Sequence, residues 1–312
     1  MRWAQIKDSK GSRAVCFFEE TVYELPAKLS PLLNFYSRFR LNFGDPKNAV
    51  AILKENGATV MGHGEELWNS LPFIRPLDKP GKIVCAGLNY RDHAAEMNLE
   101  VPEHPALFAK FPNALIGPGE QIRMPADDGT GSTKIDWEVE LCLVVGARLR
   151  NATEEQALEA LMGYTVMNDV SVRDWQGRSS EWFQGKNWDA MTPFGPVIVS
   201  PDEVDPVAGL ELVCEVDGVV RQRGTTADMV FTPAQLLSYI SRFMTLEPGD
   251  LVATGTPAGV GLSLHPRQWL KPGQTVRTRI EGIGELVNVC SEAGALYLCG
   301  WAALQVGNSA AG

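Results

Sequence analysis

The stretch Lys134–Val145, KIDWEVELCLVV, concentrates the residues best suited to chemistry. With the two-residue period of a strand, Ile135, Trp137, Val139, Leu141, Leu143 and Val145 share one apolar face. Asp136, Glu138 and Glu140 open the other face, which then turns apolar at Cys142 and Val144. Successive carboxylates on one face stand about 6.5–7 Å apart, near enough to repel and to raise one another's pKa values. A hard divalent cation removes that cost and is the natural guest of such a cluster. Taken alone, the same alternation more often marks an edge strand with a solvated face. A second feature is His93 and Glu96 in RDHAAEMNLE, three residues apart and so on one helical face. A carboxylate beside an imidazole orients the ring and helps it take a proton from water, although an isolated pair of this kind is commonly a surface ion pair. His104, flanked by Glu103 and Pro105, reads as a loop histidine.

The elements around these residues are mostly strands. Ala14–Phe18 and Thr21–Leu25 suggest a hairpin, and residues 29–41 and 48–56 suggest helices. The prolines of 72–80 mark a connection. KIVCAGLNY (82–90) reads as a buried strand leading into the His93 helix, and 101–111 as a loop before a short strand. The turn-rich MPADDGTGSTK (124–134) lacks the ending of a phosphate loop, so no nucleotide site is read there. Asn151 looks like the N-cap of an amphipathic helix over 151–162, followed by a strand in 163–176. Residues 179–199, with Trp182, Phe183 and Trp188 around Lys186, read as a loop that either walls a pocket or plugs the core. Asp217-Gly218 marks a tight hairpin, Pro233 opens a helix over 232–244, and the glycines of 246–261 imply close backbone approach. Strands dominate without βαβ alternation. The expectation is therefore a small N-terminal domain, 1–76, and a β-rich catalytic domain, 77–312.

At 312 residues, with 45% apolar and 21% charged residues, the chain has ample core for a soluble globular fold. A net charge of −10 argues against nucleic acid or an anionic membrane as the main partner. No run approaches the roughly 18 apolar residues of a membrane span, and the N-terminal stretch lacks a signal-peptide run. Six dispersed cysteines, without a CxxC spacing, read as buried free thiols of a reducing compartment, with the cytoplasm as the default.

Several of these pieces, in order, resemble the fumarylacetoacetate hydrolase family: GLNYRDHAAEM, the P-ALFAK segment, DWEVELCLVVG, GYTVMNDVSVRDWQ, GKNWDAMTPFGP, the DG hairpin, LEPGDLVATGTPAGVG and IEGIGELVN. The resemblance spans about 80–290. It implies a β-rich α+β fold, a mixed β-roll or sandwich catalytic domain of the fumarylacetoacetase C-terminal type behind a small N-terminal α+β domain, assembled as a homodimer. It further implies a divalent ion, Mg²⁺ or else Mn²⁺ or Ca²⁺, on Glu138, Glu140 and Asp169, with Asp136 in a supporting place. By the same resemblance His93, Glu96 and Lys186 are catalytic, and Arg173, Gln176, Lys110 and Thr256 contact substrate.

The function implied is hydrolytic C–C cleavage of a β-diketo acid, acylpyruvate- or fumarylpyruvate-like, through a metal-bound enolate. Arg173 would pair with a substrate carboxylate, Lys186 would stabilise an oxyanion, and the His93 segment would act as a lid. The alternative is an oxaloacetate-type decarboxylase, isomerase or hydratase of aromatic or sugar-acid catabolism. A non-catalytic metal-binding scaffold is the reading from outside the enzymes. The substrate's far end is not legible from the residues.

Overall fold

The computed structural model describes residues 1–26, 46–125 and 131–291. Its main sheet has twelve strands, whose central members are Thr192–Val199, Leu161–Asn168, Val139–Val145, Leu251–Ala253 and Ile83–Gly87, in that order. Most pairings are antiparallel, but Leu251–Ala253 runs parallel to Ile83–Gly87. A second sheet of five strands includes the Glu211–Val216/Val219–Thr225 hairpin and the Thr275–Ile280/Gly284–Ser291 pair. One core lies between the sheets, joining Leu141 and Val166 of the first to Leu212, Val276 and Leu286 of the second. The opposite face of the first sheet has its own core, with Cys142, Val144, Met167 and Phe194. Val139–Val145 is thus a central strand buried on both sides, which is why its even positions turn apolar past Glu140. Cys16, Cys85, Cys142, Cys214 and Cys290 are free and buried. Among the described residues no helix is long and apolar enough to cross a membrane.

Several expectations change. The acidic stretch is two strands, Ile135–Asp136 paired with Ser171–Val172 and Val139–Val145 paired with Leu161–Asn168. At the break, side chains take over the ladder: Trp137 N donates to Asp136 Oδ1 at 2.9 Å and Glu138 N to Asn168 Oδ1 at 3.0 Å. The helix after Asn151 is Glu154–Glu159, capped reciprocally by Thr153 and Gln156, while Asn151 sits outside it at φ 52°. The residues after it join the central sheet because both their faces are buried. The region expected as a loop, 179–199, holds a short helix, Phe183–Lys186, and the buried strand Thr192–Val199, disguised by Pro193 and Pro196.

The boundary expected at 76/77 does not interrupt the sheet. Arg2–Asp8 pairs with Thr192–Val199, and the 11–18 and 21–24 hairpin continues from it. The helix expected at 48–56 is Pro46–Glu55. The one expected at 29–41 lies outside the described residues.

Candidate metal centre and active site

Strand register assembles the carboxylates. Val139 faces Asn168, so Glu138 on one strand end and Asp169 on the next come together, with Asp169 N donating to Glu138 O at 2.8 Å. Glu138, Glu140 and Asp169 are buried and offer oxygens within 4.8 Å of one another. Three cations serve them. Lys186 Nζ lies 2.6 Å from Glu138 Oε2 and 2.7 Å from Asp169 Oδ2. Lys110 Nζ lies 2.6 Å from Asp169 Oδ1. Arg173 bridges Asp136 Oδ2 at 2.8 Å and Glu138 Oε1 at 2.7 Å.

Four buried carboxylates against three buried cations leave one negative charge over. It falls on Glu140, whose carboxyl is pushed well above its usual range by burial and then by the charges of Asp169 and Glu138. Burial also raises Asp136, outweighing Arg173. Glu138 goes the other way: Lys186 and Arg173 overcome burial and hold it at about 2. Lys186 and Arg173 in turn sit above their ordinary values because these carboxylates outweigh the cost of burying them. An oxygen-only donor set carrying uncompensated negative charge fits a hard divalent cation.

His93 lies on the helix Arg91–Glu96, its Nδ1 3.0 Å from Glu96 Oε2. Glu96 Oε1 accepts from Gly259 N at 2.8 Å and Ser263 Oγ at 2.5 Å, and with His93 these bonds bring its carboxyl down against the effect of burial. Asp92 holds the same helix, accepting from Ala258 N at 3.2 Å while its own N–H donates to Asp228 Oδ2 at 2.8 Å. The segment expected as a lid is thus seated on the turn after Ala253.

That turn also holds the acidic strands. Gly255 N donates to Glu140 Oε2 at 2.9 Å, and Gly261 N and Leu262 N donate to Asp136 at 2.7 and 3.0 Å. Close backbone approach explains a glycine at 261, where a Cβ would lie 2.0 Å from Gln268 O and 2.8 Å from Asp136 Oδ1.

A cavity of about 290 Å³ joins these groups: His93, Glu138, Glu140, Lys186, Arg173 and Gln176 all line it. The residues expected to contact substrate divide. Gln176 is on the wall and accepts from Arg173 at 3.0 Å. Arg173, expected on a substrate carboxylate, is committed to Asp136 and Glu138. Thr256 is on the wall, but its hydroxyl donates to Val139 O at 2.9 Å and accepts from Gln222. Lys110 is 2% exposed and lies behind Asp169, off the cavity wall. Sequence reasoning passed over Gln222, which binds Val139 N at 3.0 Å, and Ser263; neither has a spacing that signals its role.

A profile of the fumarylacetoacetate hydrolase C-terminal family matches residues 82–290. The chain is 40% identical to a mitochondrial oxaloacetate tautomerase of Bos taurus over 253 residues, 78% of this chain and 79% of that one. It matches the solved fumarylacetoacetate hydrolase of Exiguobacterium antarcticum with TM-score 0.75 and 32% identity, covering 94% of this chain and 99% of the other. The 2-hydroxyhepta-2,4-diene-1,7-dioate isomerase of Mycobacterium marinum matches with TM-score 0.70 and 31% identity, at 94% and 99% coverage. Fold and site together define a β-rich enzyme built on buried carboxylates. The chain belongs to the fumarylacetoacetate hydrolase family.

Proposed function

We propose that this enzyme is a divalent-metal-dependent hydrolase that cleaves a C–C bond in an acylpyruvate-type β-diketo acid. The observation that carries the reading is that His93, held by Glu96, lines one cavity with Glu138 and Glu140 of an acidic triad bearing an uncompensated charge. Glu138, Glu140 and Asp169 would hold Mg²⁺, with Mn²⁺ or Ca²⁺ as substitutes, and the bound ion supplies Lewis acidity to the 2-oxo acid head.

His93, its Nδ1 engaged by Glu96, takes a proton from water at Nε2. The water oxygen adds to the distal carbonyl of the substrate. The C–C bond then breaks, its electron pair passing to the carbon next to the 2-oxo group. Protonation of that carbon by His93 completes pyruvate and a carboxylic acid. Glu96 stabilises the imidazolium between these transfers, and Lys186, with Gln176, faces the developing oxyanion.

A second reading, tautomerisation of a 2-oxo diacid, is favoured by the 40% identity to the bovine oxaloacetate tautomerase. There His93 would move a proton between carbon and oxygen without adding water. A turnover panel of acylpyruvates, fumarylpyruvate and oxaloacetate, each with Mg²⁺ or EDTA, separates the two. EDTA-sensitive release of pyruvate and an acid is expected. EDTA-sensitive keto–enol exchange without cleavage would replace the first reading by the second, and no metal-dependent turnover would refute both. A homodimer is part of the proposal, and light scattering on a sizing column checks it.

A further inference from the structure

We propose that the far end of the substrate is an uncharged apolar acyl chain and that the site discriminates against a second carboxylate there. The proposal rests on the reading of the cavity as a 2-oxo acid site and deepens it. Polarity along the cavity is segregated. The floor carries the charges, with Glu138, Glu140 and Lys186 all buried. Ser179, Gly177 and Leu99 on the same wall are exposed, so the cavity opens on their side. Much of the remaining wall is apolar, with Leu88, Met97, Leu99, Phe108, Trp182 and Val260, while Gln176, Ser179 and Thr256 contribute neutral polar groups.

A distal carboxylate needs a cation, and besides His93, whose Nδ1 is held by Glu96, the described residues of the wall offer only Arg173 and Lys186. Each is already held between two carboxylates, Arg173 by Asp136 and Glu138 and Lys186 by Glu138 and Asp169, at 2.6–2.8 Å, and the third Lys186 donor is the one that faces the oxyanion. The neighbouring cations face elsewhere. The Arg178 guanidinium lies 3.5 Å from the centroid of the Trp175 ring. Arg91 donates to the carbonyls of Asp228 and Met229.

The apolar wall is also held in shape. Trp182 lies against the bare backbone of Gly87, where a Cβ would come within 2.4 Å of the ring, and packs edge-on to Phe108 at 5.6 Å. Leu88 and Trp182 take left-handed backbone conformations, φ 53° and 56°, which side chains other than glycine adopt at a cost. Such a wall rewards each buried methylene with about fourfold in affinity, from about 0.8 kcal/mol per CH₂. A carboxylate desolvated against it meets only neutral polar groups such as Gln176 and Ser179 and no free cation.

Calorimetry on the full chain with Mg²⁺ tests this independently of turnover. Oxalate carries the chelating head and no tail. Straight-chain 2-oxo monoacids from 2-oxobutanoate upward and 2-oxo diacids of matching length add the tail. The expected result is Mg²⁺-dependent binding of oxalate, affinity rising about fourfold per methylene in the monoacids until the tail reaches solvent, and diacids binding about a hundredfold more weakly. Leu99→Arg, at the half-exposed mouth, is expected to narrow the gap between diacid and monoacid at least tenfold. Oxalate binding with a flat monoacid series, or diacids binding as well as monoacids, overturns the acyl assignment alone. Failure of oxalate to bind with Mg²⁺ overturns the 2-oxo acid reading and this proposal with it.

Discussion

Replacing Glu140 by Gln is expected to stabilise the metal-free protein while removing its response to divalent cation. Glu140 is 1% exposed, accepts one hydrogen bond from Gly255 N, and shares its surroundings with Asp169 and Glu138. Burial, then those charges, hold its carboxyl well above the ordinary 4.5. In the unfolded chain the group ionises near that ordinary value, whereas in the folded metal-free protein it keeps its proton to higher pH. Below 4.5 its contribution to stability is fully present. As pH rises past that value the unfolded state binds fewer protons than the native state. Stability therefore falls by about 1.4 kcal/mol per pH unit until pH passes the raised folded value. Gln is neutral throughout and can still accept from Gly255 N, so the variant lacks this slope. Asp136, also raised by burial, is common to both proteins and cancels in the difference.

The assay is urea unfolding in EDTA from acid to neutral pH, repeated with Mg²⁺. Wild type should gain about 2.7 kcal/mol at a Mg²⁺ concentration a hundredfold over its dissociation constant, and the variant far less. Parallel pH curves in EDTA, or an undiminished Mg²⁺ response in Glu140→Gln, would refute the assignment of the excess charge to Glu140.

Three further outcomes are expected. His93→Ala should lower hydrolytic kcat by about 10²–10⁴-fold with calorimetric Mg²⁺ affinity unchanged; a joint loss of affinity would show that the dyad and the acidic triad do not act separately. Lys110→Met removes a buried partner 2.6 Å from Asp169 and should cost about 3–5 kcal/mol in EDTA, so an unchanged urea midpoint would contradict its role as a counter-charge. Gly261→Ala places a Cβ 2.0 Å from Gln268 O and should cost about 2–3 kcal/mol through overpacking, read from the same unfolding curves, with a near-neutral result showing that the turn can yield.

Much of the fold was legible wherever a local rule governs. The Asp217-Gly218 hairpin, the Thr232-capped helix Pro233–Phe243 and the apolar odd positions of the acidic stretch all match the structure. Local rules failed where long-range contacts decide. Residues 179–199 read as a loop, yet Thr192–Val199, with Pro193 and Pro196 within it, sits between Arg2–Asp8 and Leu161–Asn168 at the centre of the sheet. Asn151 has the chemistry of a cap, but Thr153 with Gln156 completes the reciprocal bonds.

For the site, the sequence by itself determined which residues stand together along the chain. Glu138 and Glu140 share a face, and His93 and Glu96 share a helical turn, because side-chain direction follows the backbone period. Tertiary structure alone decided what those residues do with their charge. Strand register brings Asp169 to Glu138, and the turn after Ala253 ties Glu140 and Asp136 to Glu96. Lys110, Arg173 and Lys186 arrive from three separate segments as counter-charges. Periodicity is a property of neighbours in sequence, but the energy of a buried charge depends on which opposite charges lie within a few ångströms in space, and here these come from distant parts of the chain.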